Sequence, residues 1–137
     1  MKVEHARGPN FVIEVDEGLA TCRVWQRPDL TSAEGAACAE QISRHAEALA
    51  GDPNARGFVF DLRQAPPVAG PRTTTAIGQM AKAYEVAGKG FAVITSDTPM
   101  MLLQFRRVVR EAAPLRGVVT TDEAEAMEAV RRARARR

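Results

Sequence analysis

Alternating and continuous hydrophobic stretches divide the chain into two kinds of strand. Apolar side chains alternate with their neighbours over Phe11–Val15 and again over Ala20–Val24. The turn-forming sequence Asp16-Glu17-Gly18 lies between them, so this part of the chain is predicted to form an antiparallel hairpin. The segments 57–62 and 90–95 are instead almost continuously apolar, which is typical of parallel strands covered on both faces.

The first helix is predicted between these two kinds of strand. Thr31 and Glu34 have the spacing of a capping box, in which hydroxyl and carboxylate each accept a hydrogen bond from a free backbone N–H at the helix start. Behind them, four apolar residues recur on one face at spacings of four, four and three: Cys38, Ile42, Ala46 and Leu49. Gly51 and Pro53 predict the end of a helix of about 18 residues.

Three more helices are predicted further along the chain. Helical spacing indicates one over about 72–87, ended by Gly88, and another that begins at Pro99 and ends before Pro114. The sequence 120–123 offers a second capping box, from which the last helix would begin.

The resulting order of elements is β-β-α-β-α-β-α-β-α, with a short edge strand at 117–119 and a polar lead-in over 1–10. Repeated strand–helix units require parallel strands joined by crossovers. The expected fold class is therefore α/β: a single open mixed sheet, mostly parallel, of about five strands with helices packed on it. At 137 residues the chain fits one domain, 1–137.

Composition is that of an ordinary soluble domain. Hydrophobic residues make up 45% of the chain and charged residues 26%, and no apolar run suggests a membrane span or a signal peptide. Cys22 and Cys38 are expected as free, packed thiols, and a cytoplasmic location is the simplest expectation.

The basic charge of the chain comes from its C-terminus. Five arginines lie in the last seven residues, and without them 14 basic residues face 17 acidic ones. The rest of the domain is therefore slightly acidic, which argues against a nucleic-acid-binding face. Residues 131–137 are expected to fray into solvent as an arginine-rich tail.

The order of elements over nearly the whole chain resembles that of STAS domains, the modules of anti-sigma factor antagonists and sulphate-transporter tails. The local resemblance is an apolar strand that ends in Asp61-Leu62, followed by a loop and a helix, and the later strand Phe91-Ala92-Val93-Ile94-Thr95. Bacterial STAS relatives grouped with CRAL-TRIO-type lipid carriers have a similar order, and 121–126 resembles the acidic start of their last helix. The resemblance implies regulation through binding.

The loop after Asp61-Leu62 departs from the pattern of the antagonists. In that family a serine in this loop is phosphorylated by a partner kinase, and the phosphate controls binding. The matching position here is near Gly70, which has no hydroxyl. Thr73, Thr74 and Thr75 follow a few residues later and are the possible phosphoacceptors.

The same loop is the first candidate binding site, because function in open α/β sheets gathers at the carboxyl ends of strands. Pro67 and Val68 are candidate apolar contacts within it. Arg72 and Thr73 lie at a helix N-terminus, whose free N–H groups and dipole favour an anion such as phosphate. The alternative interpretation is an ordinary helix cap with solvated hydroxyls.

Four consecutive large apolar residues, Met100-Met101-Leu102-Leu103, begin the helix after Pro99. They cannot all face one core at 3.6 residues per turn, so one or two must be exposed, cover a loop or meet a partner. Because methionine suits adaptable interfaces, Met100 and Met101 join the candidate binding residues.

The sequence contains no recognisable catalytic or metal-binding pattern. Asp61 has no complementary titratable group beside it and is expected to accept hydrogen bonds from its own loop. His5 and His45 are the only histidines, and with the two cysteines they lack the close spacing of metal ligands. No enzymatic activity, cofactor or metal is therefore expected.

The leading functional hypothesis is a non-enzymatic, STAS-like regulatory module that binds a protein, such as a regulatory kinase or an anti-sigma-like partner, or a second copy of itself. The alternative is a carrier of an apolar or lipid-like ligand held between helix and sheet near Met100 and Met101. An apolar cavity of several hundred cubic ångströms favours the carrier, whereas a filled core with a flat apolar patch favours the protein-binding module. Neither nucleic acid nor a membrane span is expected.

Overall fold

The computed structural model describes residues 1–66 and 70–135, with side chains as far as Arg132. Within them the chain forms six strands: β1 (Lys2–Gly8), β2 (Phe11–Asp16), β3 (Leu19–Trp25), β4 (Gly57–Gln64), β5 (Gly90–Ile94) and β6 (Gly117–Thr120). The helices are α1 (Ser32–Ala50), α2 (Pro71–Ala87), α3 (Pro99–Ala112) and α4 (Glu123–Ala135). None of these helices is long and apolar enough to cross a membrane.

The strands form one mixed sheet in the order β1-β2-β3-β4-β5-β6. β1, β2 and β3 pair antiparallel, whereas β3, β4, β5 and β6 pair parallel. The expected α/β class with a single mixed sheet and the expected hairpin are both confirmed. The parallel strands end together at one edge of the sheet, at Trp25, Gln64, Ile94 and Thr120, and we call this edge the rim.

The sheet has six strands where about five were expected, because residues 2–8, expected as part of a polar lead-in, form β1. β1 pairs along β2, with a bulge between Glu4 and Ala6. Its side chains are mostly exposed, so backbone pairing rather than burial holds it on the sheet. An edge strand of this kind lacks the hydrophobic alternation from which strands are predicted.

Helices cover the two faces of the sheet unequally. α1, α2 and α3 pack on one face, where Phe58 and Phe60 of β4 lie in the main core. α4 packs on the other face, where Ala126 and Val130 contact a smaller core that includes Val59. Successive residues of β4 therefore face opposite cores, which explains the continuous apolar run of this strand.

The turn between β2 and β3 consists of two residues with positive φ, Glu17 at 52° and Gly18 at 83°. Two successive positive φ values are typical of the type I′ turn, whose twist matches that of an antiparallel pair. Glycine adopts this conformation freely, and glutamate does so at a cost in free energy. The turn predicted at 16–18 is thus confirmed.

The capping box of α1 is confirmed. Thr31 Oγ1 accepts a hydrogen bond from the Glu34 N–H at 3.1 Å, and the Thr31 N–H donates to Glu34 Oε1 at 2.8 Å. The helix that follows has 19 residues and ends at Ala50. At its other end, Lys89 Nζ donates to the carbonyl oxygen of Ala50, the last residue of the helix, and to that of Asp52 in the following turn. Carbonyl oxygens in the last turn of a helix lack partners within the helix.

Both ends of α4 differ from expectation. The capping box predicted at 120–123 is wrong, since Asp122 Oδ1 instead accepts hydrogen bonds from the N–H groups two and three residues later. A negative carboxylate at the start of a helix also interacts favourably with the helix dipole. The tail at 131–137, expected to fray, is helical as far as Ala135, and the last two residues lie outside the described part of the chain.

Candidate functional site

A cavity of about 280 Å³ opens at the rim. Val24 of β3 and Phe60 and Leu62 of β4 line it from the sheet, and residues of α1, α2 and α3 line it from above. It therefore lies at the carboxyl ends of parallel strands, where open α/β sheets bind their ligands. We call it the rim cavity.

The helices complete the apolar lining of the rim cavity. α1 contributes Ala36, Cys38, Ala39 and Ile42, and α3 contributes Met101 and Phe105. The two alanines leave the space open, because their side chains end at Cβ while larger residues surround them. The result is a concave site with mainly apolar walls, which is the usual character of a small-molecule pocket.

Polar residues lie among these apolar ones. The polar lining consists of Asn10, Arg27, Thr31, Ser32 and Thr73. Asn10 is 7% exposed, and its Oδ1 has no hydrogen-bond partner within the described residues. Arg27 donates to the carboxylate of Asp29 and to the carbonyl oxygen of Pro9. A few such groups in an apolar pocket usually fix the orientation of a ligand.

Arg72, a residue of the expected anion site, is already bound within the protein. Its Nε and Nη2 donate to the Glu40 carboxylate on α1 at 3.1 and 2.6 Å. This hydrogen bond raises the pKa of Arg72 and lowers the pKa of Glu40. An anion at the start of α2 would therefore compete with a carboxylate that is already in place.

The three candidate phosphoacceptors lie in the first turn of α2 in different surroundings. Thr73 lines the rim cavity and is half-buried, Thr75 is exposed, and Thr74 Oγ1 donates to the Pro71 carbonyl oxygen at 3.0 Å. The N-cap is Gly70, which makes no side-chain capping bond. Phosphorylation of any of the three remains a prediction.

The run of four apolar residues divides between core and solvent. Met101 is 4% exposed and lines the rim cavity, whereas Met100 and Leu103 are 77% and 74% exposed. The prediction that one or two of the four are exposed is therefore confirmed. Pro67 and Val68, the other candidate apolar contacts, lie outside the described residues.

Asp61 accepts hydrogen bonds from the residue two positions later, as the sequence predicts. Its Oδ1 accepts from the backbone N–H and Nε of Arg63 at 3.1 and 3.0 Å, and its Oδ2 accepts from Nη2 at 2.7 Å. Burial alone would raise the pKa of Asp61, but these hydrogen bonds outweigh it and the pKa lies below its usual value. This geometry supports the structural interpretation of Asp61.

The two histidines, far apart in the sequence, contact each other. His5 of β1 and His45 of α1 have ring centroids 5.5 Å apart with nearly perpendicular planes, so His5 contacts the helix that covers the sheet. Burial, followed by the charges of His5 and Arg44, lowers the pKa of His45. Within the described residues, Cys22 and Cys38 are free and no three potential ligands cluster as a metal site.

A larger groove of about 890 Å³ lies on the second face of the sheet beside α4. It is lined by four acidic residues, Glu14, Asp16, Glu17 and Glu123, and four basic ones, Lys2, Arg23, Arg56 and Arg131. Some of these charges already pair, as Arg23 does with Glu14 at 3.3 Å. The groove contains no buried polar atom without a partner among the described residues, so the rim cavity is the better candidate.

Thr73 and Met101 of the rim cavity are candidate binding residues in the sequence, whereas the most informative polar residue of the cavity, Asn10, is not. Asn10 lies in the turn between β1 and β2, within the segment expected to be a polar lead-in. Pro9-Asn10 is a recognisable turn signal. A turn signal does not show what its side chains contact, and here pairing of three antiparallel strands brings Asn10 to the rim.

Comparison with known proteins gives a weak structural likeness and no family. No family model and no curated protein matches the chain. A solved structure of an enoyl-CoA hydratase from Geobacillus kaustophilus HTA426 aligns with 99% of this chain and 76% of that chain, at 9% identity and a TM-score of 0.46. So distant a likeness carries no inference about activity, and the function has to be argued from the site.

Proposed function

We propose that this chain is a non-catalytic binding domain that holds a small, largely apolar molecule in the rim cavity. The observation that carries the proposal is the cavity itself, with mainly apolar walls and a volume of about 280 Å³ at the carboxyl ends of β3 and β4. Such sites are the usual place of ligands in this class of fold. Of the two hypotheses drawn from the sequence, the carrier is thus favoured.

The volume of the cavity limits the size of the ligand. A water molecule in the liquid takes up about 30 Å³, so the cavity has room for about nine waters. Pockets for drug-sized ligands usually begin at about 300 Å³. A molecule with a single ring fits this space, whereas most of a long acyl chain would have to extend out of the opening into solvent. The expected apolar or lipid-like ligand is therefore a compact one.

Filling the cavity is expected to abolish the binding of a small apolar probe. Ala39 is 7% exposed and lines the cavity, so the ring of Ala39→Phe would occupy the space of the ligand. We expect saturable toluene binding to the wild type, with NMR shifts of Val24, Leu62 and Met101. In Ala39→Phe the affinity should fall at least about tenfold, because the probe loses the apolar contacts that hold it.

Ala48→Phe is the matched control for this experiment. Ala48 is exposed on the same helix, so the same substitution there should leave the toluene affinity within about twofold of the wild type. Ala36→Val, a smaller filling, serves if Ala39→Phe does not fold. Unchanged toluene binding in a folded filled variant, or no saturable binding to the wild type, would contradict the proposed function.

A second candidate function is the binding of a regulatory protein, as the STAS resemblance suggests. The observation in its favour is the pair of large apolar side chains exposed on one turn of α3, Met100 and Leu103. The two residues are three positions apart and are therefore neighbours on one face of the helix. Exposed apolar side chains of this kind, methionine above all, are common in adaptable protein contacts. The partner would be a kinase, an anti-sigma-like protein or a second copy of this chain.

Replacing both residues with lysine tests this second function. We expect Met100→Lys/Leu103→Lys to reduce recovery of the partner in a pull-down at least about tenfold, because charge is placed in an apolar contact. The fold should remain intact, because both side chains are exposed. Lysine at Met101 is avoided, because that side chain is buried and its replacement would disrupt the packing of α3. Val86→Lys/Leu115→Lys, at other exposed apolar positions, is the control. Equal partner recovery in both double variants contradicts the second function.

The proposal includes a cytoplasmic location. Its support is the pair of buried, unpaired thiols of Cys22 and Cys38, because reducing compartments keep cysteines in that form.

A further inference from the structure

We infer that the molecule held in the rim cavity is uncharged and presents a hydrogen-bond donor, an O–H or N–H group, to Oδ1 of Asn10. The inference rests on the proposed function and adds to it the chemical class of the ligand. Small phenols, alcohols and amides with an apolar body have this character.

Asn10 provides the first argument. Asn10 lines the cavity and is 7% exposed, and its Oδ1 is buried without a hydrogen-bond partner among the described residues. A rotation of the side-chain amide would turn Oδ1 towards the cavity. Its backbone is held in place, because the carbonyl oxygen of Asn10 accepts a hydrogen bond from the Trp25 N–H at 3.0 Å. Buried acceptors in native structures nearly always have a donor. A ligand donor supplies the one that is missing here.

The charges around the cavity provide the second argument. Among the described residues that line it, Arg27 is the only one with a formal charge. Its Nε and Nη2 donate to the Asp29 carboxylate and its Nη1 donates to the Pro9 carbonyl oxygen. The hydrogen bond between them raises the pKa of Arg27 and lowers the pKa of Asp29, so both stay charged and neutralise each other. An anionic ligand would have to break this pair, and a cationic ligand would find no carboxylate on the lining.

The thiol of Cys38 supports the same conclusion. Cys38 lines the cavity and is 5% exposed. Burial, with a smaller contribution from Glu34, raises the pKa of its thiol, so the group stays protonated and uncharged at neutral pH. The remaining polar lining consists of hydroxyl groups, which carry no charge. A charged ligand would lose its hydration on entering the cavity and would find no free charge to pair with. A neutral ligand does not carry this cost.

The size of the cavity gives the third argument. At about 280 Å³ it has room for a single ring with a short substituent, and Val24, Phe60 and Leu62, which line it, would contact such a ring on one side. With Asn10 as a single buried acceptor, the expected ligand has one polar end and one apolar end. Its hydrogen bond fixes orientation, and its ring supplies most of the buried apolar area.

Binding of two isosteric probes to the wild type and to Asn10→Leu tests the inference. Phenol carries an O–H where toluene carries a methyl group, and leucine has the shape of asparagine without its polar atoms. We expect Asn10→Leu to weaken phenol binding about tenfold, since the O–H loses its acceptor. The affinity of the same variant for toluene should be no more than about twofold weaker than that of the wild type. Both affinities are measured by NMR titration on the full chain.

Two further probes examine the polarity and the charge of the ligand. Anisole has an oxygen acceptor but no donor, so its affinity should change little between the wild type and Asn10→Leu. Benzoate resembles phenol in size and is charged, and it should produce no saturable shift of cavity residues at concentrations that saturate with phenol. Benzoate binding tighter than phenol would mean an anion site and would overturn the inference.

Failure of the inference and failure of the proposed function give different results. If toluene and phenol bind the wild type and both lose affinity equally in Asn10→Leu, or neither does, the donor is not recognised and the inference falls while the proposed function stands. If no probe binds the wild type saturably, both fall. Asn10→Ala, which also lacks the acceptor and imposes no bulk, takes the place of Asn10→Leu if thermal melting shows that the leucine variant is unfolded.

Discussion

Replacing Phe58 with alanine is expected to lower the free energy of unfolding by about 3–5 kcal/mol. Phe58 is fully buried in the main core, and its ring stacks on Phe91 with centroids 6.0 Å apart and lies 5.6 Å from the ring of Tyr84. Alanine would remove these contacts and leave a cavity between β4, β5 and α2. Domains of this kind are stable by about 5–15 kcal/mol, so the loss is a large fraction of the total.

Denaturant titration followed by circular dichroism measures this loss. Val86→Ala is the control, because Val86 is 79% exposed on α2 and its truncation should change the free energy of unfolding by less than about 0.5 kcal/mol. If Phe58→Ala is unfolded at zero denaturant, Phe58→Leu gives a smaller loss that can still be measured. A loss below about 1 kcal/mol for Phe58→Ala would mean that the three rings do not form the centre of the core.

The second large effect is expected from Gly57, at the start of β4. A Cβ atom at this position would overlap Val130 Cγ1 of α4 and lie 2.9 Å from the Gly90 carbonyl oxygen of β5. Both neighbours are parts of packed elements, so Gly57→Ala must displace a helix or a strand. We expect it to lower the free energy of unfolding by about 1–3 kcal/mol, the usual cost of overpacking.

Gly78→Ala is the matched control, because the same substitution is expected to act in the opposite direction there. A Cβ atom at Gly78 would lie 3.6 Å from Val108 Cγ1, an ordinary contact, and alanine in a helix is more stable than glycine by up to about 1 kcal/mol. The two variants are compared by denaturant titration. Val130→Ala should restore part of the stability lost in Gly57→Ala, and no restoration would locate the strain at Gly90 instead.

The two candidate functions use neighbouring parts of the rim. Met101 contributes to the wall of the cavity, and Met100 and Leu103 extend into solvent from the same turns of α3. A ligand that contacts Met101 and Phe105 would therefore be able to influence the first turn of the helix that presents the exposed pair. The filling variant and the double-lysine variant separate the two functions, since each removes one surface and leaves the other in place.

Arg72 shows why a helix N-terminus in the sequence is weak grounds for an anion site. The N-cap residue Gly70 has no side chain that could bond to the first-turn N–H groups of α2. In this respect the helix start agrees with the anion site expected from the sequence. However, the arginine that would assist an anion is held by Glu40, 32 residues earlier on α1. Charge partners of this kind cannot be found by spacing along the chain, because they depend on how two helices pack.

Most elements of the fold could be predicted from local patterns. The hairpin follows from alternation around 16–18, and α1 follows from its capping box and the apolar stripe of Cys38, Ile42, Ala46 and Leu49. β1 could not be predicted in this way, because the side chains of Lys2–Gly8 are mostly exposed on both faces of the strand and show no apolar alternation. Its pairing depends on the free edge of β2, which exists only after the hairpin has formed.

The position of the cavity could be predicted from the sequence, but the set of residues that line it could not. The rule that ligands bind at the carboxyl ends of parallel strands indicated the rim, and Thr73 and Met101 lie there as expected. Asn10 lies in the turn between β1 and β2 and Arg27 lies in the loop between β3 and α1, and nothing in their local sequence relates them to α3. Strand pairing brings them to the same volume.

The amino-acid sequence by itself determined the order of the strands and helices that follow β1, the turn at Glu17-Gly18 and which faces are apolar, because these follow from the period of the side chains and from local backbone preferences. Only the tertiary structure decided that a sixth strand joins the sheet, that Glu40 binds Arg72 and that a buried polar atom of Asn10 finds no partner among the described residues. Each of these depends on residues brought together from separate elements. Their distances are set by packing of the whole chain, which no local pattern contains.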